Sequence, residues 1–134
     1  MIDKIFKTYD IRGKYPKEIN EAAVFDVAKA LGRHFTSKNK AKKIVLGYDA
    51  RLSSPSLYSS LIKGLRMSVL NSEIILAGLM TTPMLYFLVN HFKASGGIMV
   101  TASHNPKDYN GLKVVGGKAV PLSGGEIYKI ISNF

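Results

Sequence analysis

Three short apolar runs constrain this chain more than any other feature: Ile44-Val45-Leu46-Gly47-Tyr48, Ile74-Ile75-Leu76-Ala77 and Ile98-Met99-Val100. Each is too short for a helix and none alternates with polar residues, the pattern of strands covered on both faces. Helical stripes separate them. Asn20 or a neighbour opens a helix in which Ile19, Ala23, Val27, Leu31 and Phe35 recur at four-residue spacing. Ser54-Pro55 supplies an N-cap and a proline at the first helical position, ahead of Leu57, Leu61, Leu65 and Val69. Thr82-Pro83 repeats that device ahead of Met84, Leu85, Leu88, Val89 and Phe92. Gly96-Gly97 reads as a break before the third run, and Thr101 to Gly111 as a polar loop. A strand over Leu112 to Val115 and a turn at Gly116-Gly117 follow. Ser123 and Glu126 stand at capping-box spacing before Ile127, Ile130, Ile131 and Phe134. Strands alternating with helices predict a three-layer α/β/α sandwich with a mixed, largely parallel sheet.

At 134 residues the chain has the length of one compact domain, residues 1–134, without a visible linker or repeat. Nineteen Lys and Arg against nine Asp and Glu leave a formal charge of +10, with Lys38, Lys40, Lys42 and Lys43 clustered. That excess first suggests an anionic partner. A nucleic-acid surface, however, pairs its basic residues with stacking aromatics or a groove-reading motif, and this cluster has neither. It reads as a solvated loop that serves solubility. The absence of cysteine excludes a disulfide framework, a thiolate zinc site and thiol catalysis, and suits a cytoplasmic setting. Met1 to Phe6 lacks the apolar core of a signal peptide, and no run reaches the ~18 apolar residues of a membrane span.

In open α/β sheets, functional loops gather beyond the carboxyl ends of the strands. Two segments there are rich in polar groups: Asp49-Ala-Arg51-Leu-Ser53-Ser54, and Thr101 to Gly111. The second holds a hydroxyl, an imidazole, amides, a lysine and a carboxylate, more than a turn requires. Familiar templates fit it poorly. Ser103 and His104 are adjacent, which does not give the geometry of a serine with a base reaching across to it, and no G-x-S-x-G elbow surrounds the serine. Gly116-Gly117-Lys118-Ala119 lacks the spacing of a phosphate-binding loop. His34, His91 and His104 are scattered without zinc spacing, and the first two read as surface or satisfied core residues.

Thr101-Ala-Ser103-His104-Asn105-Pro106, followed by Asp108-Tyr-Asn-Gly-Leu-Lys113, resembles the phosphoserine loop of the α-D-phosphohexomutase superfamily. Two more segments fall in that family's order: Tyr9-Asp10-Ile-Arg12-Gly13, and Gly47-Tyr-Asp49-Ala-Arg51-Leu-Ser53-Ser54. The Asp-Tyr-Asn-Gly order resembles the phosphomannomutase/phosphoglucomutase branch, and the similarity spans the whole chain as a first, phosphoserine-bearing domain. The resemblance implies interconversion of hexose 1-phosphate and hexose 6-phosphate through a bisphosphorylated sugar, with Ser103 as phosphoryl donor and acceptor. It implies catalytic roles for Ser103, Lys113, His104 and Arg12, and substrate contacts from Tyr9, Arg12 and Lys113. Without it, Lys113 reads as an exposed strand lysine, Arg12 as a surface arginine, and Tyr9 equally well as packing beneath the loop. Asn105 and Asn110 read as loop formers.

Magnesium is the implied cofactor, bound by Ser103 through its phosphate, with its acidic ligands in a later domain. The implied partners are a mannose or glucose phosphate and the remaining mutase domains; no nucleic acid and no membrane are expected. The acidic metal loop, the sugar-discriminating loop and the distal phosphate-binding loop have no counterpart in these residues. The chain therefore reads as an isolated first domain, inactive as a mutase by itself. A basic nucleic-acid-binding module and a non-catalytic scaffold or regulatory protein retaining the fold are the competing readings.

Overall fold

The computed structural model describes residues 2–37, 42–69 and 72–133. After a 3-10 turn at Ile2–Ile5 the elements are β1 (Ile11–Lys14), α1 (Glu21–Phe35), β2 (Lys43–Tyr48), α2 (Ser54–Ser68), β3 (Glu73–Leu79), α3 (Thr82–His91), β4 (Gly96–Val100), β5 (Tyr109–Gly116), a 3-10 turn at Gly117–Ala119, and α4 (Gly124–Ser132). One five-stranded sheet runs β1-β5-β4-β2-β3. The β4-β2 and β2-β3 pairs are parallel, whereas β1-β5 and β4-β5 are antiparallel. The sheet is mixed as predicted: only β5 opposes the direction of the other four strands.

Helices α1, α2 and α4 cover one face, and α3 covers part of the other. Val24, Val27 and Leu31 of α1 and Leu57, Leu61 and Leu65 of α2 pack against Ile44, Leu46, Ile98, Val100, Leu112 and Val114. Each such side chain, fully buried, contributes roughly 1.5–3 kcal/mol. Gly64 permits the close crossing of α1 and α2, because a Cβ there would stand 2.7 Å from Ala28 Cβ. On the opposite face Leu85 and Val89 of α3 meet Val45, Met99 and Val115. β3 is an edge strand, and only part of it is covered: Leu76 and Leu79 are exposed.

Local signals held at both ends of the chain. Asn20 caps α1 by accepting from the Ala23 N–H at 3.0 Å. Ser123 and Glu126 form the reciprocal capping box of α4. The two proline-containing starts differ by one residue from expectation. The N-caps are Ser53 and Thr81, neither with a side-chain capping bond, and Ser54 and Thr82 are already helical. Ser54 uses its hydroxyl elsewhere, donating to Asp49 Oδ1 at 2.6 Å.

Gly96 and Gly97 do not break the chain but open β4. A Cβ on Gly96 would lie 2.5 Å from the Phe35 ring, and one on Gly97 would lie 2.7 Å from Val89. Both helical layers approach the sheet where β4 has no side chains. β5 also begins earlier than expected, taking Tyr109, Asn110 and Gly111 out of the polar loop. β1 has no counterpart in the sequence expectations; it pairs Ile11 with Leu112 and Arg12 with Gly111. Lys38, Lys40 and Phe134 lie outside the described residues. Lys43 is exposed at the start of β2, its ammonium 5.9 Å from the Phe92 ring centroid. Among the described residues no helix is long and apolar enough to cross a membrane.

Candidate active site

The loops after β2, β3 and β4 leave the same end of the sheet, so Asp49, Met80 and Thr101 start from neighbouring strands. The loop between β4 and β5 carries Ser103 at φ +53, the left-handed region, where a residue with a Cβ costs about 1–2 kcal/mol. Bonds on both sides hold it there. The Ser103 N–H donates to Thr101 Oγ1 at 3.0 Å, the Asn105 N–H to the Ala102 carbonyl at 3.0 Å, and the Tyr109 N–H to the Pro106 carbonyl at 2.9 Å. The Ser103 and His104 side chains are exposed.

Arg51, from the loop after β2, spans this turn. Its Nη1 donates to the carbonyls of Pro106 (2.6 Å) and Tyr109 (3.1 Å), and its Nη2 to those of Ser103 (2.9 Å) and Asn105 (2.7 Å). Nε lies 3.4 Å from Asp49 Oδ2. All five donors of the guanidinium thus face protein acceptors. Asp49 Oδ1 in turn accepts from the Arg51 N–H and the Ser54 hydroxyl. Asn110, fully buried, donates to the hydroxyls of Ser53 (2.8 Å) and Ser54 (3.0 Å), tying β5 to the start of α2.

Arg12 approaches from the other side. Its Nε is 2.8 Å from Asp10 Oδ1, a carboxylate that is 2% exposed, and its Nη1 donates to Asn105 Oδ1 at 2.6 Å. No partner is assigned to Nη2 among the described residues, so this arginine, unlike Arg51, keeps donors for an anion. Asn105 is consequently more than a loop former: its side chain holds Arg12 and its carbonyl is held by Arg51.

Two recesses flank the loop. The larger, about 690 Å³, is lined by Asp49, Met80, Thr82, Met99, Ser103 and His104. The smaller, about 280 Å³, is lined by Tyr9, Asp10, Arg12, Asn105 and Tyr109. Ser103 and His104 therefore share one recess and Tyr9 and Arg12 the other, linked through Asn105. Tyr9 is 74% exposed and does not pack beneath the loop. Lys113, opposite Met99 in the β4-β5 ladder, lines neither recess; its ammonium is 6.0 Å from the Tyr86 ring centroid. His34 and His91 are exposed in the last turns of α1 and α3, away from this end of the sheet.

The residues here do not form a magnesium site by themselves. Among the described residues no group of three or more His, Asp or Glu could hold a metal ion. Asp10 and Asp49 are committed to Arg12 and Arg51. A phosphate on Ser103 would add hard oxygen ligands, and further ones would have to come from outside these residues.

Sequence reasoning named Ser103, His104, Arg12, Tyr9 and Lys113, assigned no individual role to Arg51 or Asp10, and took Asn110 for a loop former, whereas it is a buried residue of β5. Arg51 and Asp49 directly follow β2 at the functional end of the sheet, which was the available signal.

The family model for phosphoglucomutase/phosphomannomutase, alpha/beta/alpha domain I, matches residues 3–134. A phosphohexose mutase of Xanthomonas campestris pv. campestris (strain B100) is 48% identical over 118 residues, 88% of this chain and 25% of its own length. The phosphomannomutase of Escherichia coli K12 is 46% identical over 119 residues, 89% of this chain and 25% of its own. The chain thus spans about a quarter of these relatives. The crystal structure of a phosphoglucomutase/phosphomannomutase family protein from Burkholderia thailandensis superposes on 99% of this chain and 31% of that one, with a TM-score of 0.84 at 31% identity. The nucleic-acid-binding alternative draws no support from these matches. With residues 3–134 matched by the domain I model, the chain belongs to the phosphoglucomutase/phosphomannomutase family.

Proposed function

We propose that this chain is the phosphoserine-bearing first domain of a phosphohexomutase that interconverts hexose 1-phosphates and hexose 6-phosphates, with Ser103 as the phosphoryl carrier. The observation that carries this reading is the exposed Ser103 on a braced, left-handed turn beside an open recess. A serine hydroxyl is a weak nucleophile, so transfer to and from it depends on in-line placement and charge neutralisation. In the forward half-reaction a phosphoserine P–O bond breaks as a sugar hydroxyl oxygen attacks phosphorus. The sugar hydroxyl proton leaves to a base, the departing Ser103 oxygen takes up a proton to become a free hydroxyl, and that hydroxyl later accepts the other phosphate of the bisphosphorylated sugar.

Arg12, whose Nη2 has no partner among the described residues, supplies a planar donor pair for phosphate oxygens. His104 orients or supports charge next to the serine, and Lys113 serves proton transfer or charge stabilisation from β5. Tyr9 offers a hydroxyl at the rim of the Arg12 recess. Magnesium, when bound to the phosphoserine, would add Lewis-acid neutralisation of the phosphoryl oxygens. A cytoplasmic setting, mannose or glucose phosphate as substrate, and the later mutase domains as partners belong to the same reading. Residues 1–134 act as one domain, and alone they do not turn over, because the additional metal ligands and the sugar site lie elsewhere.

Mass spectrometry of the longer enzyme that carries this domain tests the reading. One phosphate on Ser103 is expected after exposure to a hexose 1,6-bisphosphate, absent in Ser103→Ala together with at least about a thousandfold of turnover. Undiminished turnover in Ser103→Ala would reject it.

A further inference from the structure

We infer that Arg51 is the positioning residue of the phosphoryl carrier: it sets the direction of Ser103 by gripping the main chain of the loop and does not itself bind phosphate. The inference rests on the reading of Ser103 as carrier. It stands on a contrast between two arginines. Arg12 contacts one side-chain carboxylate and one side-chain amide and retains donors. Arg51 directs four donors at the carbonyls of Ser103, Asn105, Pro106 and Tyr109 and the fifth toward Asp49.

Those four acceptors are spread over seven residues of a loop whose own bonds are few. The Ser103 carbonyl is among them, so the peptide plane just after the left-handed residue is fixed by Arg51 directly. Thr101 Oγ1 fixes the peptide before it. Together they restrict both torsions at Ser103 and therefore the exit vector of its side chain. A guanidinium is the only side chain with enough donors in a rigid plane for this task. Lysine, with three donors on one atom, cannot reach all four carbonyls. Because no donor of Arg51 remains for a substrate oxygen, its contribution belongs to orientation, which affects kcat, and not to substrate affinity.

Two measurements on Arg51→Lys and Arg51→Met test this. In the 134-residue chain, amide hydrogen exchange at Ser103, Asn105 and Tyr109 is expected to accelerate at least about tenfold, while Ile98 and Val100 in β4 keep wild-type protection. In the longer enzyme, kcat is expected to fall about a hundredfold in Arg51→Met and less in Arg51→Lys. KM for the hexose phosphate should stay within about twofold, whereas Arg12→Lys raises it. Unchanged exchange in the loop would overturn the inference. So would a loosened loop with undiminished kcat, a loss carried wholly by KM, or global unfolding of both variants, which would make Arg51 a determinant of the fold. Failure of the carrier reading is seen separately, as full turnover in Ser103→Ala; the exchange result then decides alone whether Arg51 holds the loop.

Discussion

The two faces of the sheet are built to different standards. Under α1, α2 and α4, Leu57, Leu61 and Leu65 have no exposed surface and the core extends from Ile5 to Ile127. Under α3 the buried set, among the described residues, shrinks to seven, and Leu79, Met84 and Phe87 remain 46–64% exposed beside it. The larger Ser103 recess opens on that thinner side, between Met80, Met99 and the start of α3. One face secures the fold, and the other leaves room at the site that a fully packed layer would fill.

Substitutions on the two faces should separate these roles. Leu61→Ala is expected to cost about 3–4 kcal/mol, since a side chain enclosed by two helices and the sheet leaves a cavity that cannot collapse. Urea unfolding followed by circular dichroism measures it. For Leu85→Ala the expected loss is about 2 kcal/mol, near the lower limit for buried leucine, because the thinner layer relaxes or admits water. Equal losses from the two would break the comparison. Smallest is Leu79→Ser, expected to change stability by no more than about 0.5 kcal/mol because its side chain is already largely in water. A loss above 1 kcal/mol, on the order of a buried contact, would show that the open side contributes to the core after all.

Most of the layered architecture was legible because its signals are local. The stripe from Val27 to Phe35, the Asn20 cap, and the Ser123 to Glu126 box act within one or two turns. β1 was not legible: it is four residues long, contains a glycine and a lysine, and gains its identity only from pairing with β5 about a hundred positions later. Gly96 and Gly97 misled for the opposite reason. Alone they suggest a break, and only the Phe35 ring and α3 pressing on β4 explain them. At the site, the family pattern pointed to the groups proposed to react, whereas the scaffold stayed hidden. Asn110 and Arg51 act through partners more than fifty positions away, and the loop partners of Arg51 are main-chain oxygens, which leave no mark on residue type; Asp10 acts through Arg12, two residues on.

That last property separates shape from chemistry in the loop. Every amino acid carries the same carbonyl, so a clamp that holds only carbonyls is indifferent to the side chains it displays. Position 103 is then an exchangeable socket. Aspartate or asparagine, which tolerate a left-handed backbone, should seat there without disturbing the frame, while valine or isoleucine should not. A permanently charged stand-in for the proposed phosphoserine can be installed by substitution at one codon, with Arg51 left to aim it.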